Sequence, residues 1–172
     1  MSDTPLPDIV LASKRLNLRP FKPEDASETF AAITPGVTRF MSWEPPATSE
    51  AFAEVWRAWL PAITAGTDLH LVIRLRSNGE FFGLVGLHGI DDPAPELGVW
   101  IKETAHGHGY GREAVKTVIA WASPRFDIGH FVWPVAEANL PSRRLAEALN
   151  GAIDGSASRT KFTAAIYRIP AP

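Results

Sequence analysis

The stretch Glu96-Leu97-Gly98-Val99-Trp100-Ile101-Lys102-Glu103-Thr104-Ala105-His106-Gly107-His108-Gly109-Tyr110-Gly111-Arg112-Glu113-Ala114 is the part of this sequence best equipped for chemistry. A short apolar strand runs into a turn with glycine at every second position, and an amphipathic helix follows. Gly107, Gly109 and Gly111 let the backbone turn tightly and bring bare N–H groups against a ligand. The helix behind them leaves its first four N–H groups unpaired and adds roughly half a positive charge. Together they make a site for a phosphate or diphosphate. The same spacing also serves a turn that merely joins strand to helix. Two common phosphate motifs are excluded: a dinucleotide fingerprint starting at Gly107 needs glycine where Arg112 stands, and the nucleotide P-loop needs a Gly-Lys-Ser/Thr ending that is absent.

Other reactive side chains are more isolated. His106 and His108 stand two apart, a poor spacing for a helical metal pair, and fit a solvent loop with no metal. His88 follows a strand and either faces a substrate pocket or is an ordinary satisfied histidine. Phe40, Met41 and Trp43 precede Pro45-Pro46 and suit either a pocket wall or the core. Arg143-Arg144 reads as a solvated helix face.

These groups need elements to hold them. Arg15–Arg19 alternates polar and apolar, the period of a half-buried strand, and Pro20 closes it. Lys22-Pro23-Glu24-Asp25 opens a helix that runs to about Ile33, before a break at Thr34-Pro35-Gly36. Thr48-Ser49-Glu50-Ala51 starts a second helix, with Phe52, Val55, Trp56, Trp59 and Leu60 on one face and Ala65-Gly66 at its end. Leu69–Leu75 and Phe81–Leu87 are strands joined through Ser77-Asn78-Gly79-Glu80, a hairpin signal. Asp91–Pro95 is a turn, Glu96–Ile101 a strand, and Ala114, Val115, Val118, Ile119 and Ala122 mark a third helix. His130–Val135 is a strand, Pro141–Leu149 a short helix and Thr163–Ile169 a last strand, with one more near Ala152–Ser156. The order is β-α-α-β-β-β-α-β-α-β.

Composition bounds the class. The chain has 172 residues, 45% hydrophobic and 21% charged, as in an ordinary globular protein. Seventeen basic against nineteen acidic residues give a net charge of −2 and a pI near 6.2, which argues against a nucleic-acid partner. Zero cysteines exclude disulfides, thiolate metal sites and a cysteine nucleophile. No apolar run approaches the ~18 residues of a membrane span, and no secretory signal is visible. The expectation is one cytoplasmic domain over residues 1–172, with residues 1–8 a loose arm.

Glu96–Ala114 resembles the acetyl-coenzyme A motif of the GCN5-related N-acetyltransferases, with the family pattern Gln/Arg-x-x-Gly-x-Gly/Ala falling on His106–Gly111. A strand of the type Glu-Leu-Gly-x-Trp-Ile resembles the branch that acetylates ribosomal-protein N-termini. Val135-Ala136-Glu137-Ala138-Asn139-Leu140-Pro141-Ser142-Arg143-Arg144-Leu145 is similar to the family's second motif, strand–Asn-x-x-Ser–helix. The likeness implies an α/β (α+β) fold: a mixed, mostly antiparallel sheet of about seven strands, splayed at its centre between Glu96–Ile101 and His130–Val135, with about four helices. It implies acetyl-coenzyme A as co-substrate, its diphosphate on His106, Gly107, His108, Gly109, Tyr110, Gly111 and Arg112. The pantetheine would pair along Val99, Trp100 and Ile101, where a freed N–H polarises the thioester, and Asn139 would bond the arm. Glu96 is then the candidate base for a primary amine, a protein N-terminus or a small molecule, or else a solvent-facing carboxylate. Ser142 is the candidate donor to sulfur, or else a first-turn helix residue. Three positions depart from the family: Ala146 stands where a tyrosine acid is frequent, His106 where Gln or Arg is usual, and Gly151-Ala152 where Gly-Phe is usual. A non-catalytic acyl-coenzyme A-binding or partner-binding module with the same fold is the alternative.

Overall fold

The alternating segments assemble into one sheet in the computed structural model, which describes residues 4–172. Its strands are β1 (Leu11–Ala12), β2 (Leu16–Pro20), β3 (Asp68–Leu75), β4 (Phe81–His88), β5 (Glu96–Ile101), β6 (His130–Ala136), β7 (Ala152–Ser158) and β8 (Thr163–Pro170). They lie in the order β1-β2-β3-β4-β5-β6-β8-β7. Every neighbouring pair is antiparallel except β5 and β6. That parallel pair touches at a single register, Glu96 opposite Val132, with the Val132 N–H donating to the Pro95 carbonyl at 2.9 Å. Beyond it the strands part, and the centre of the sheet is a wedge.

Five helices cover the sheet among the described residues: α1 (Ala26–Ala32), α2 (Pro35–Thr38), α3 (Ser49–Ala65), α4 (Tyr110–Phe126) and α5 (Leu140–Ala148). The α3 helix starts where Thr48 Oγ1 accepts the Ala51 N–H at 3.1 Å and stops at Gly66, whose φ of 80° is left-handed. It buries Phe52 and Ile63, while Trp59 stacks on His70 of β3 with ring centroids 4.2 Å apart. Val55, expected on the apolar face, is 45% exposed because that flank of α3 borders a cavity rather than the sheet. On the opposite face α4 buries Ala114, Val115, Val118, Ile119 and Ala122, the five residues its spacing marked.

A buried charge network ties β2, β3 and the start of α1. Asp25 is fully buried and accepts two bonds from the Arg19 guanidinium, both 2.7 Å. It accepts a third from Arg74 at 2.9 Å and a fourth from the Lys22 N–H at 2.9 Å. Burial alone would push this carboxyl up, but those hydrogen bonds outweigh it and hold it below the ordinary value.

The structure adds detail to three expectations. Residues 1–3 of the arm lie outside the described residues, but Leu6–Asp8 form a 3-10 turn, Leu6 packs on the core and Ile9 is buried. The sheet of about seven strands has an eighth in β1, which is two residues long and too short to show alternation. The break at Thr34-Pro35-Gly36 is a four-residue helix, capped by Thr34 and started by Pro35.

Candidate active site

The glycine turn forms the first half of the site. Gly107 and Gly109 have φ of 78° and 76°, left-handed values that only glycine adopts cheaply. Gly109 is the N-cap of α4 and, lacking a side chain, caps nothing. Among the described residues no acceptor meets any N–H from Gly107 to Arg112, and the Glu113 N–H is the first to bond back, to the Gly109 carbonyl at 3.1 Å. Six consecutive amides at the positive end of a 17-residue helix are a cradle for an anion.

Neighbouring side chains fix that backbone. Glu113 accepts the Ser13 hydroxyl at 2.6 Å, the Arg15 N–H at 2.7 Å and the Arg15 Nε at 2.7 Å. Arg15 also donates to the His108 carbonyl at 3.0 Å and lies 4.5 Å over the Tyr110 ring. Burial works to raise the Glu113 carboxyl, but the bonds from Ser13 and Arg15 prevail and hold it below its ordinary value. His106 donates from Nε2 to the Ile101 carbonyl at 2.6 Å, and His108 donates from Nδ1 to the His106 carbonyl at 2.7 Å. Both imidazoles therefore shape the turn.

The wedge is the second half. Gly111 sits where α4, β5 and α5 converge: a Cβ there would lie 3.5 Å from Ile101, 3.9 Å from Val99 and 3.9 Å from Leu145. Backbone groups of every second strand residue point to the same edge. Since the Pro95 carbonyl meets β6, those of Val99 and Ile101 also face the gap. Trp100 is different, because it pairs with Leu84 of β4 and turns its ring toward a cavity. Asn139 caps α5, its Oδ1 accepting the Ser142 N–H at 3.3 Å. Ser142 is half-buried and its hydroxyl meets no partner among the described residues. Ala146 is fully buried, so this position offers no acid.

The other face of β4 and β5 floors a cavity of about 600 Å³. Gly86 and Gly98 pair across these strands, as do His88 and Glu96, and all four line it. Phe40, Met41 and Trp43 form part of its wall. Its roof is held from the β7–β8 turn: Lys161 pairs with Glu44 at 2.7 Å and donates to the Thr38 carbonyl at 3.0 Å. A larger, shallow hollow between β1 and α4 touches the site only at its Gly109 and Arg112 edge.

An anion cradle, a parted central sheet and a cavity across one strand define a class that joins a phosphate-bearing donor to an acceptor from the opposite face. A family model described as an acetyltransferase (GNAT) domain matches residues 15–151. The chain belongs to the GNAT acetyltransferase family, and its reaction is transfer of an acetyl group from acetyl-coenzyme A to an amine. No curated protein matches it. Among solved structures, RimL, a ribosomal-protein alpha-N-acetyltransferase in complex with coenzyme A, superposes with a TM-score of 0.84 at 15% identity, covering 94% of this chain and 98% of that one. RimJ of Mycobacterium smegmatis gives a TM-score of 0.81 at 18% identity, covering 96% and 88%. An acetyltransferase of Salmonella typhimurium that modifies the N-terminal serine of a 50S ribosomal subunit protein gives 0.83 at 15% identity, covering 94% and 99%. At these identities the likeness is one of fold.

The sequence reading left two features of the site unassigned. The Ser13–Arg15–Glu113 clamp joins residues about 100 positions apart, and nothing local announces it. Asp68, which fixes His88 from the next strand, likewise carried no signal.

Proposed function

We propose that this enzyme acetylates the N-terminal amine of a protein or peptide, with the diphosphate of acetyl-coenzyme A held on the amides of Gly107–Arg112. The carrying observation is that the open amide cradle and the 600 Å³ cavity lie on opposite faces of the sheet and meet only across β5. The residues fit the donor: unpaired N–H groups suit a diphosphate, and the backbone groups of Val99 with the N–H of Ile101 suit the amides of an extended arm, the Ile101 carbonyl being taken by His106. When bound, acetyl-coenzyme A supplies an electrophilic carbonyl and a thiolate leaving group. The Val99–Ile101 edge directs N–H dipoles into the gap, where they stabilise negative charge on oxygen. Asn139 and Ser142 supply an amide and a hydroxyl, Ser142 as the donor toward sulfur. Glu96, exposed at the first residue of β5, is the carboxylate that meets the acceptor ammonium. An aromatic, roofed cavity suits the first residues of a chain better than a small polyamine, and the cysteine-free composition suits the cytoplasm.

Two measurements test this reading. Calorimetry with coenzyme A should show one site per chain. Mass spectrometry should then find acetyl groups on hexapeptides with a free α-amine and none on the same peptides N-terminally blocked, with spermidine and glucosamine far slower. Coenzyme A binding without turnover of any amine would instead support a binding module.

A further inference from the structure

Facing the acceptor cavity is a histidine whose geometry exceeds that of a packing residue. His88 ends β4, directly opposite Glu96 across the β4–β5 pair. Its Nδ1 lies 3.2 Å from Oδ1 of Asp68 on β3, and that oxygen also accepts the Gly89 N–H at 3.2 Å. A carboxylate only accepts, so Nδ1 carries the proton and Nε2 presents its lone pair. Nε2 lies over Gly86 on the cavity floor: a Cβ built on Gly86 would collide with it. It has no hydrogen-bond partner among the described residues. Across from it Gly98 leaves open space, with nothing within 4 Å of where its Cβ would stand. The strand pair thus keeps two glycines side by side, one covered by an imidazole and one bare, beside the β5 edge that faces the wedge.

We propose that His88, oriented by Asp68, is the catalytic residue that accepts the proton of the acceptor ammonium at Nε2, while Glu96 draws that ammonium in. The proposal rests on the acetyltransferase reading above. Of the two protons the ammonium nitrogen loses, one passes to Nε2 and then to solvent through the cavity mouth. The other goes to the sulfur as the new C–N bond forms and the C–S bond breaks. The imidazolium formed on the way is balanced by Asp68. An imidazole is the better matched base by type, because a proton acceptor works best when its affinity for protons lies near the operating pH, and a carboxylate's lies well below. The charged and titratable groups around it are Asp68 and His70 on β3, Glu96 on β5, and Glu44 and Arg159 from the loops lining the cavity. His70 is 4.9 Å away, and burial, then His88 itself, pushes it down to about 3. It is therefore neutral near pH 7 and places no charge beside His88.

The test is kinetic, with the full chain, acetyl-coenzyme A and the hexapeptide that the wild type acetylates fastest. His88→Gln should lower kcat about 100-fold, the lower end of what acid–base catalysis contributes, with KM for the peptide and Kd for coenzyme A within twofold of wild type. The acidic limb of its pH profile should be lost. Glu96→Gln should act the other way, raising peptide KM and keeping the limb. Added imidazole should restore turnover in His88→Ala. Gly86→Ala pushes only the free end of the imidazole and should fold as wild type, yet lose kcat like His88→Gln. Unchanged kcat in His88→Gln overturns the proposal, as does a loss that imidazole does not rescue or a limb that vanishes in Glu96→Gln instead. A wild type that binds no coenzyme A or acetylates no peptide overturns the functional reading itself, and this assignment with it.

Discussion

Gly109 carries two requirements at once, a left-handed backbone and an empty space where a ligand's charge would sit. Any side chain at its φ of 76° costs about 1–2 kcal/mol, and a carboxylate adds repulsion toward a diphosphate. Gly109→Glu should therefore abolish coenzyme A binding by calorimetry while the circular dichroism of the folded protein persists. Retained affinity would move the anion site elsewhere. Asn139 shows the opposite economy, because the side chain that caps α5 is also the one proposed to bond the cofactor's arm. Removing the cap in Asn139→Ala should cost about 1 kcal/mol in urea unfolding, with a loss of coenzyme A affinity beyond what that explains. The turn at Gly109 was legible in the sequence because its spacing is local. His88 was only half legible: its element was clear, but the Asp68 that fixes it comes from another strand.

At the scale of elements, the start of α4 is held by a piece of chain that contributes no group to the reaction. The turn before β2 delivers Ser13 and Arg15 onto Glu113, and Arg15 continues to the His108 carbonyl. Glu113→Ala releases all three bonds. The expected result is a roughly tenfold weaker Kd for coenzyme A, about 1.4 kcal/mol, with kcat at saturation unchanged. A fall in kcat at constant Kd would show that the clamp acts on chemistry instead. The helix itself was readable from five apolar positions, whereas the clamp was not, since ion pairs across about 100 residues leave no periodicity.

The whole molecule should lose stability in acid in two stages. His70 is pushed down to about 3, so as pH falls below the ordinary histidine value of about 6.5 the unfolded chain takes up a proton that the folded chain refuses. Stability should fall across that window, and His70→Phe should flatten it in urea midpoints measured from pH 7 to 4. Asp25 adds the second stage. Its carboxyl is held below the ordinary value, so its contribution is complete above about 4 and is lost as pH falls further. Asp25→Asn should destabilise the protein by about 3 kcal/mol at pH 7, because Arg19 and Arg74 lose a buried partner, and should remove this second stage.

Period-two and period-3.6 patterns, a hairpin turn and the glycine spacing were enough for the sequence alone to determine the order of the longer elements, the glycine turn ahead of α4 and the family. Those signals lie within a few residues of one another, so local physics writes them directly. Only the tertiary structure decided that β5 and β6 meet at a single register, that Trp100 faces the cavity while Val99 keeps a free backbone edge and His106 takes the Ile101 carbonyl, and that Asp68 aims His88 over Gly86. Each depends on which strands become neighbours and where they part, and pairing between distant segments is settled by burial of the whole core rather than by any one stretch of chain.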